Sequence, residues 1–437
     1  MGLLALILGC SCAEDRDPDV VFVLVDTLRA DALSFAGAPL PTSPHLDALV
    51  ESEAAWYTRA YSASSWTLAS TATLITGQRP FSHGVVRAAD NDRCYGRLQE
   101  HLPTLGSVWR TRGYRTGAWI NNGFLAPEFG FARSFDVYDY EGAELLGHRT
   151  AAQTVDAALE WLDAGEGPAF MMVHLMEPHV DYDPGPPFAG TFTSTMPASI
   201  SIPLGSALHG GWMARVIPPP DDDDRAFVRA AYQEEVLAVD QAVHTLIEGL
   251  KSRDRWDDAF FVLTSDHGEE FWEHGGFEHG HTMRSEVTRV PLIVKAPTLE
   301  PGKRDQLVDA VSVSRALAAG HPGPLVTGDA FALSEDILYG PQMASIVTPT
   351  HRLEVALQTN EVTLWELDPS GWEPERWMQD SPEVRQVAGE LRDQLRSTRG
   401  GLAAAQPVNP TGIDREVFQM LRELGYIDGG AVANPCE

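Results

Sequence analysis

Three residues far apart in the chain have the types and settings that hold a divalent cation. The run Val20–Val25, VVFVLV, is continuously β-branched and apolar, and Asp26 follows it directly. The run Ala259–Thr264, AFFVLT, is a second of the same kind, and Ser265, Asp266 and His267 come next. Such runs mark parallel strands buried on both faces. Ligands of parallel α/β sheets bind at the carboxyl ends of the strands. Two carboxylates and one imidazole meeting there are a donor set for one divalent cation: Ca, Mg, Mn or Zn. One aspartate after a strand is an ordinary turn former. Two of them at strand ends, one beside a histidine, favour a metal. A second metal would need His179, Asp183, Glu177 or His281 to converge on the same place.

The segment Ser64–Gly77, SSWTLASTATLITG, adds a fourth group. It reads as a loop entering a short helix that stops at Gly77. Thr67 then stands at the helix N-terminus, where the dipole and unpaired N–H groups favour an anion and a deprotonated hydroxyl. Beside a metal, such a threonine is a candidate ligand and nucleophile. It is equally a common N-cap residue.

The elements that must position these groups alternate along the chain. Ala169–Leu175 reads as a third buried strand and Thr116–Ile120 as a weaker one. Leu46–Glu53, Thr104–Arg112, Ala151–Asp163 and Arg225–Ser252 carry apolar residues at helical spacing. Strands alternating with helices predict an α/β fold with a mostly parallel central sheet flanked by helices. Pro184–Asp224 breaks the rhythm with Pro, Gly and Ser, and reads as a long surface insertion. Past residue 300 the character changes. Gln342–Val355 and Glu361–Leu367 read as strands, and Pro382–Arg399 and Asp414–Leu424 as helices. The expected organisation is an N-terminal leader over 1–18, a catalytic α/β domain over 19–300, and a smaller α+β subdomain over 301–437.

Composition narrows the partners. The 437 residues carry a net charge of −30, which excludes a nucleic-acid binder, because phosphate backbones recruit Lys and Arg. The four cysteines, Cys10, Cys12, Cys94 and Cys436, have no metal-ligand spacing. Cys94 and Cys436 could bridge in an oxidising compartment. Met1–Gly9 is wholly apolar and too short to span a bilayer, which fits the core of an export signal. Ile7–Cys10, ILGC, resembles a bacterial lipobox, although no Lys or Arg precedes the run. The expectation is an exported protein, periplasmic or at the cell surface, that meets the membrane only through a lipid anchor on Cys10.

Six motifs occur in the order seen in the sulfatase family of the alkaline-phosphatase superfamily. They are Val25–Asp31, Thr67–Gly77, Gly113–Thr116, His174–His179, Ser265–Glu269 and Arg289–Leu292. The likeness spans about Val20 to Pro297, and Leu421–Tyr426 also looks similar. It implies an alkaline-phosphatase-like domain in which Asp26, Asp266 and His267 match metal ligands and Thr67 occupies the nucleophile position. It further implies that His179 and His281 contact the ester or its leaving group, and that His279, two residues from the latter, helps bind the substrate. Asn121 and Asn122 stand roughly where the family has a Lys-x-His pair, and would donate to the anion instead. His83 and His274 are expected to be structural.

Two departures bear on mechanism. A second acidic ligand often follows the first, but here that place is Thr27. Family members that use formylglycine carry Cys or Ser, then x-Pro-x-Arg, whereas this chain has Thr67–Thr71, TLAST. Threonine cannot become that aldehyde. The position is instead similar to phosphodiesterases and to phosphoglycerol or phosphoethanolamine transferases, which use a metal-bound threonine. The resemblance therefore implies a metal-dependent hydrolase of small or glycan-borne sulfate or phosphate esters. The alternatives are a phosphodiesterase or transferase, and a binding protein that has lost turnover.

Overall fold

The computed structural model describes residues 16–88, 91–140, 149–193, 195–197, 199–213, 215–373 and 378–401. The lipobox cysteine, the 414–424 helix and the 421–426 motif lie outside them, as do Cys12 and Cys436. Cys94 is disulfide-bonded.

The large sheet starts with β1 (Val20–Val25) and β2 (Ala55–Tyr61), and continues with β3 (Arg115–Trp119), β4 (Val137–Asp139) and β5 (Ala169–Leu175). After β6 (Phe260–Ser265) come a short hairpin, β7 (Glu270–Phe271) and β8 (Phe277–Glu278), and then β9 (Arg289–Val290), β10 (Leu292–Lys295) and β11 (Gly302–Asp309). The strand order is β9-β2-β10-β6-β1-β5-β3-β4, with β11 also on β2. The central strands β6, β1, β5, β3 and β4 run parallel, and β10 is antiparallel to both β6 and β2. This is the expected α/β class.

Every residue of β1 is buried, and alternate residues face opposite layers. Phe22 and Leu24 pack with Leu68 and Ala72 of α2 (Thr67–Thr76), Trp109 of α3 (Leu105–Thr111) and Val313 of α7 (Ala310–Ala319). Val21, Val23 and Val25 pack with Leu46 of α1 (Pro44–Ser52), Val155 of α4 (Ala151–Asp163) and Val239 of α6 (Asp222–Lys251). Each such side chain contributes about 1.5–3 kcal/mol by leaving water, so Val23→Asp would break the sheet at its centre. Helix starts follow local chemistry. Thr104 and Thr150 form capping boxes with Ser107 and Gln153, and Asp221 accepts from the Asp224 amide.

The domain boundary differs from the expected 301. β11 pairs with β2 in the large sheet, and α7 then packs beneath α2. The first half of β11 alternates exposed and half-buried residues because it lies at an edge, and its polar surface reads as the start of something new. The smaller unit begins later. It is an antiparallel sheet of β12 (Ala332–Glu335), β13 (Met343–Val347), β14 (His351–Ala356) and β15 (Val362–Glu366), covered by α8 (Pro382–Gly400). It is fastened to the loop before α2. Ser334 Oγ donates to Ser62 O at 2.6 Å, Glu335 N to Ala63 O at 2.8 Å, and Ser64 Oγ to Asp336 O at 2.8 Å.

The 184–224 insertion is not irregular throughout. It contains α5 (Ser206–Met213), and α6 already begins at Asp222. No helix among the described residues is long and apolar enough to cross a membrane.

Candidate active site

Strand register brings the first three groups together. Val25 is opposite Ser265 on one side and Leu175 on the other, so Asp26 and Asp266 emerge side by side at the carboxyl edge. Both are fully buried, as is His267. Ligand atoms of Asp26, Asp266 and His267 all lie within 4.8 Å of one another, the only such group of three or more among the described residues. His267 Nδ1 donates to Gly268 O at 3.0 Å, which leaves its Nε2 lone pair facing the carboxylates. Nε2 stands 3.4 Å from Asp266 Oδ2 and 3.8 Å from Asp26 Oδ1. Gly268 is required here, because a Cβ would meet the Glu286 carbonyl oxygen at 2.2 Å.

Thr67 completes the cradle. It is the first residue of α2, 1% exposed, and its hydroxyl lies 3.2 Å from His267 Nε2. Ser70, one turn along the helix, donates to Asp266 O at 2.6 Å and locks the helix end against the β6 loop. At the other end Gly77 stops α2 with a positive φ of 67°.

The donors fit a cation. Asp26 Oδ1 and Asp266 Oδ2 are buried with no hydrogen-bond partner. Native interiors rarely leave two carboxylate oxygens so. The other oxygen of each is satisfied: Asp266 Oδ1 accepts from the His267 and Thr27 amides, and Asp26 Oδ2 from Asn122 Nδ2 at 2.6 Å. Two unpartnered carboxylate oxygens therefore converge with one imidazole nitrogen and one hydroxyl that are partnered only with each other. Burial, with the Asp26 charge added, pushes Asp266 up to about 6. For Asp26 the burial effect is outweighed by the His174 contact and the charges of His179, His174 and His267, which hold it at about 2.

The asparagines do not stand as expected. Asn122 serves Asp26 and caps the next turn, its Oδ1 accepting from Phe124 N at 2.8 Å. Asn121 donates to Thr154 Oγ1 and His174 O and accepts from Arg149 Nε. Its amide is occupied by the scaffold, so it is not a donor to the ester. Consecutive residues after a strand face opposite ways, and only one of the two can face the centre.

The histidines also need re-sorting. The His279 ring lies 4.3 Å from His267 and 5.2 Å from His179, so these three form one cluster. His281 is turned away. Its Nε2 contacts Glu270 Oε2 at 2.8 Å and its Nδ1 contacts His279 O at 3.3 Å. It folds onto the β7–β8 hairpin because Gly276 has no side chain, and a Cβ there would meet His281 Nε2 at 2.3 Å. For Glu270 burial is outweighed by the His281 hydrogen bond, which holds it at about 2. Of the two hairpin histidines it is thus His279, and not the expected His281, that stands in the cluster. His83 and His274 are structural as expected: His83 is buried between Thr73 Oγ1 and Val85 N, and His274 pairs with Glu286 at 2.7 Å.

The residues considered for a second metal do not gather either. Glu177 Oε1 accepts from Ala151 N at 2.8 Å, Asp183 is exposed, and His281 holds Glu270.

Two residues in the quoted motifs carry roles that were not assigned from the sequence. His174, opposite Leu24 in β5, places Nε2 3.4 Å from Asp26 Oδ2. A lone histidine in an otherwise apolar buried strand was the available signal. Glu269, fully buried, contacts His279 Nδ1 at 3.0 Å and accepts from Tyr182 Oη at 3.1 Å. Burial raises Glu269 well above the usual carboxylate range and lowers His279 well below the usual imidazole range, with neighbouring charges adding to both.

Comparison with known proteins points to one family. The family model described as Sulfatase matches residues 18–319. An N-acetylglucosamine-6-O-sulfatase of Bacteroides thetaiotaomicron is 23% identical over 379 residues, covering 67% of this chain and 66% of its own length. The chain thus spans about two thirds of that relative. Among solved structures, a phosphonate monoester hydrolase from Silicibacter pomeroyi superposes with a TM-score of 0.71 at 18% identity, over 89% of this chain and 96% of that one. A 2-O GAG sulfatase superposes with a TM-score of 0.69 at 17% identity, over 88% and 92%.

Proposed function

The chain belongs to the sulfatase family, and we propose that it hydrolyses a sulfate or phosphate ester with Thr67 as nucleophile. One observation carries the reading: the Thr67 hydroxyl, at a helix N-terminus, stands 3.2 Å from His267 Nε2 beside two unpaired buried carboxylate oxygens. Asp26, Thr67, Asp266 and His267 would hold one divalent cation, which when bound polarises the ester and lowers the pKa of the threonine hydroxyl.

Thr67 would lose its hydroxyl proton to solvent once the cation is held; Thr67 Oγ1 then attacks sulfur or phosphorus in line, and the ester oxygen leaves with the bonding electrons. Unpaired amides of the first turn of α2 face the developing negative charge. His279 supplies the proton. A protonated Glu269 donates to His279 Nδ1, which fixes the tautomer whose Nε2–H faces the centre. The leaving oxygen takes the Nε2 proton and Nδ1 takes the Glu269 proton. His179, 5.2 Å away ring to ring, borders the same space. Water then attacks the threonine ester, giving a proton to His279 Nε2 as Nδ1 returns its own to Glu269, and the bond to Thr67 Oγ1 breaks to release the anion.

Phosphorus chemistry is the second reading. Thr67 favours it, since a threonine cannot serve by the formylglycine route, and the phosphonate monoester hydrolase likeness is compatible with it. The sulfated-sugar relatives favour sulfate esters, including glycan-borne ones. A binding protein without turnover would have little use for the unpaired carboxylate pair. The N-terminal apolar run supports export with a lipid anchor at Cys10, tested by a precursor band under globomycin in a bacterial host.

Purified protein loaded with Mn, Zn, Mg or Ca and offered p-nitrophenyl sulfate, p-nitrophenyl phosphate and the bis-p-nitrophenyl diester separates these readings. Turnover of the diester alone would remove the monoester reading. Full activity of Thr67→Ala would remove the nucleophile.

A further inference from the structure

The insertion between β5 and α6 does more than border the centre. It sends His209 of α5 inward, where it is 2% exposed. His209 Nδ1 donates to Oε1 of Glu278, itself 3% exposed. His209 Nε2 lies 3.9 Å from Asp181 Oδ1, and Leu204 N donates to Asp181 O at 2.9 Å. Trp212 sets its ring edge against Trp272 and Phe277, at 5.2 and 5.4 Å. The insertion is therefore tied to the two stretches that carry the inward histidines. Asp181 comes two residues after His179, and Glu278 directly precedes His279.

Glu278 also has a φ of 64°. A side chain in that region is strained and persists only where surroundings over-determine it. The turn it makes matters. Phe277 enters the core, and His279, one residue past the kink, faces Glu269 and His267. Glu278 is paired with Glu270 in the hairpin, and the buried side chain that meets its carboxylate is His209.

We infer that His209 is a positioning residue for proton delivery: by holding Glu278 in its left-handed turn it fixes the aim of His279. This rests on the reading of His279 as proton donor. The insertion is then part of the catalytic apparatus and not a detachable cover.

The consequence is selective. A p-nitrophenolate leaves without help, whereas a phenolate needs a proton as its bond breaks, so mis-aiming His279 should slow only the second. General acids supply about 10²–10⁴ in rate, and a mis-aimed one should lose a good part of that. The experiment compares p-nitrophenyl and unsubstituted phenyl esters of whichever anion is turned over, in full-length wild type, His209→Ala, His209→Asn, Glu278→Gln and His279→Ala. Melting curves check folding. For His209→Ala the expected result is a kcat loss of about tenfold or more on the phenyl ester and about threefold or less on the p-nitrophenyl ester, with KM little changed. His209→Asn, which keeps a donor near the Nδ1 position, should recover most of the loss. Glu278→Gln, which keeps an acceptor, should resemble it. Equal losses on both esters, or no loss on either, overturn the inference. If His279→Ala is itself indifferent to the leaving group, the proton-donor reading falls first, and the role of His209 falls with it.

Discussion

Asp336 offers a sharp test of how the smaller unit supports Thr67. Its Oδ2 accepts from the Trp66 indole N–H at 3.0 Å and from Arg87 N at 3.3 Å, and Trp66 immediately precedes Thr67. Burial, opposed by those hydrogen bonds, pushes the carboxyl up from 3.8 to about 7. Between these values the native state keeps a proton that the unfolded chain has released. Stability therefore falls as pH rises from about 4 to about 7, and is flat above. At about 1.4 kcal/mol per pH unit, the full rise corresponds to at most about 4 kcal/mol. Asp336→Asn removes the ionisation, keeps an acceptor for Trp66 and Arg87, and tolerates the φ of 67° found there. The variant should be close to wild type at pH 4.5 and more stable by roughly 2–4 kcal/mol at pH 8. In a chain this long each kcal/mol moves Tm by roughly 2 °C or less. Urea and thermal unfolding at the two pH values measure the gap. A gap that is the same at both would refute the reasoning. Activity gives a second arm: Asn should keep kcat, whereas Asp336→Ala strands the indole and the Arg87 amide, each at about 1–3 kcal/mol, and should lower kcat by loosening the turn into Thr67.

The two histidines of the hairpin should separate cleanly in kinetics. His279→Ala should lose about a hundredfold or more on a poor leaving group, while His281→Ala, whose imidazole is engaged by Glu270, should stay within about threefold; equal losses would return His281 to the centre. Adding Mn or Zn to chelator-treated protein should raise Tm with concentration, and Asp266→Asn should abolish most of that rise. A melting temperature indifferent to cations would remove the metal site. His83 is buried neutral, with burial lowering it from 6.5 to about 3. Its contribution is complete above about pH 6.5 and is lost as pH falls, by about 1.4 kcal/mol per unit. His83→Gln should therefore flatten the acid limb of a stability–pH curve between pH 6 and 4, and an unchanged slope would contradict the buried neutral imidazole.

The convergence of Asp26, Thr67, Asp266 and His267 was legible in the sequence, and the sorting of the histidines around it was not. The reason lies in how each is built. Asp26, Asp266 and Thr67 sit at element ends whose patterns are local: two apolar runs buried on both faces, and a helix stopped by Gly77. Once the runs are recognised as neighbouring parallel strands, register alone brings the carboxylates together. His279 and His281 lie two residues apart in one short polar stretch, and nothing local tells them apart. What separates them is a pair of adjacent glutamates on β7 and the preceding loop. Glu269 faces the centre and takes His279, and Glu270 takes His281. The same holds for Asn121 and Asn122, divided between scaffold and Asp26 where the chain leaves β3. β2 and β11 escaped for a related reason. One has half-buried positions and the other a polar edge, so neither shows the unbroken apolar run of β1. Side-chain choice at the proton-delivering face thus depends on contacts such as Glu269 with Tyr182, 87 residues apart, and Glu278 with His209, 69 apart. Substitutions there should change leaving-group preference while the cation-binding residues stay as they are, which makes the His209–Glu278 pair a place where this chain can differ from its relatives without disturbing Asp26, Thr67, Asp266 or His267.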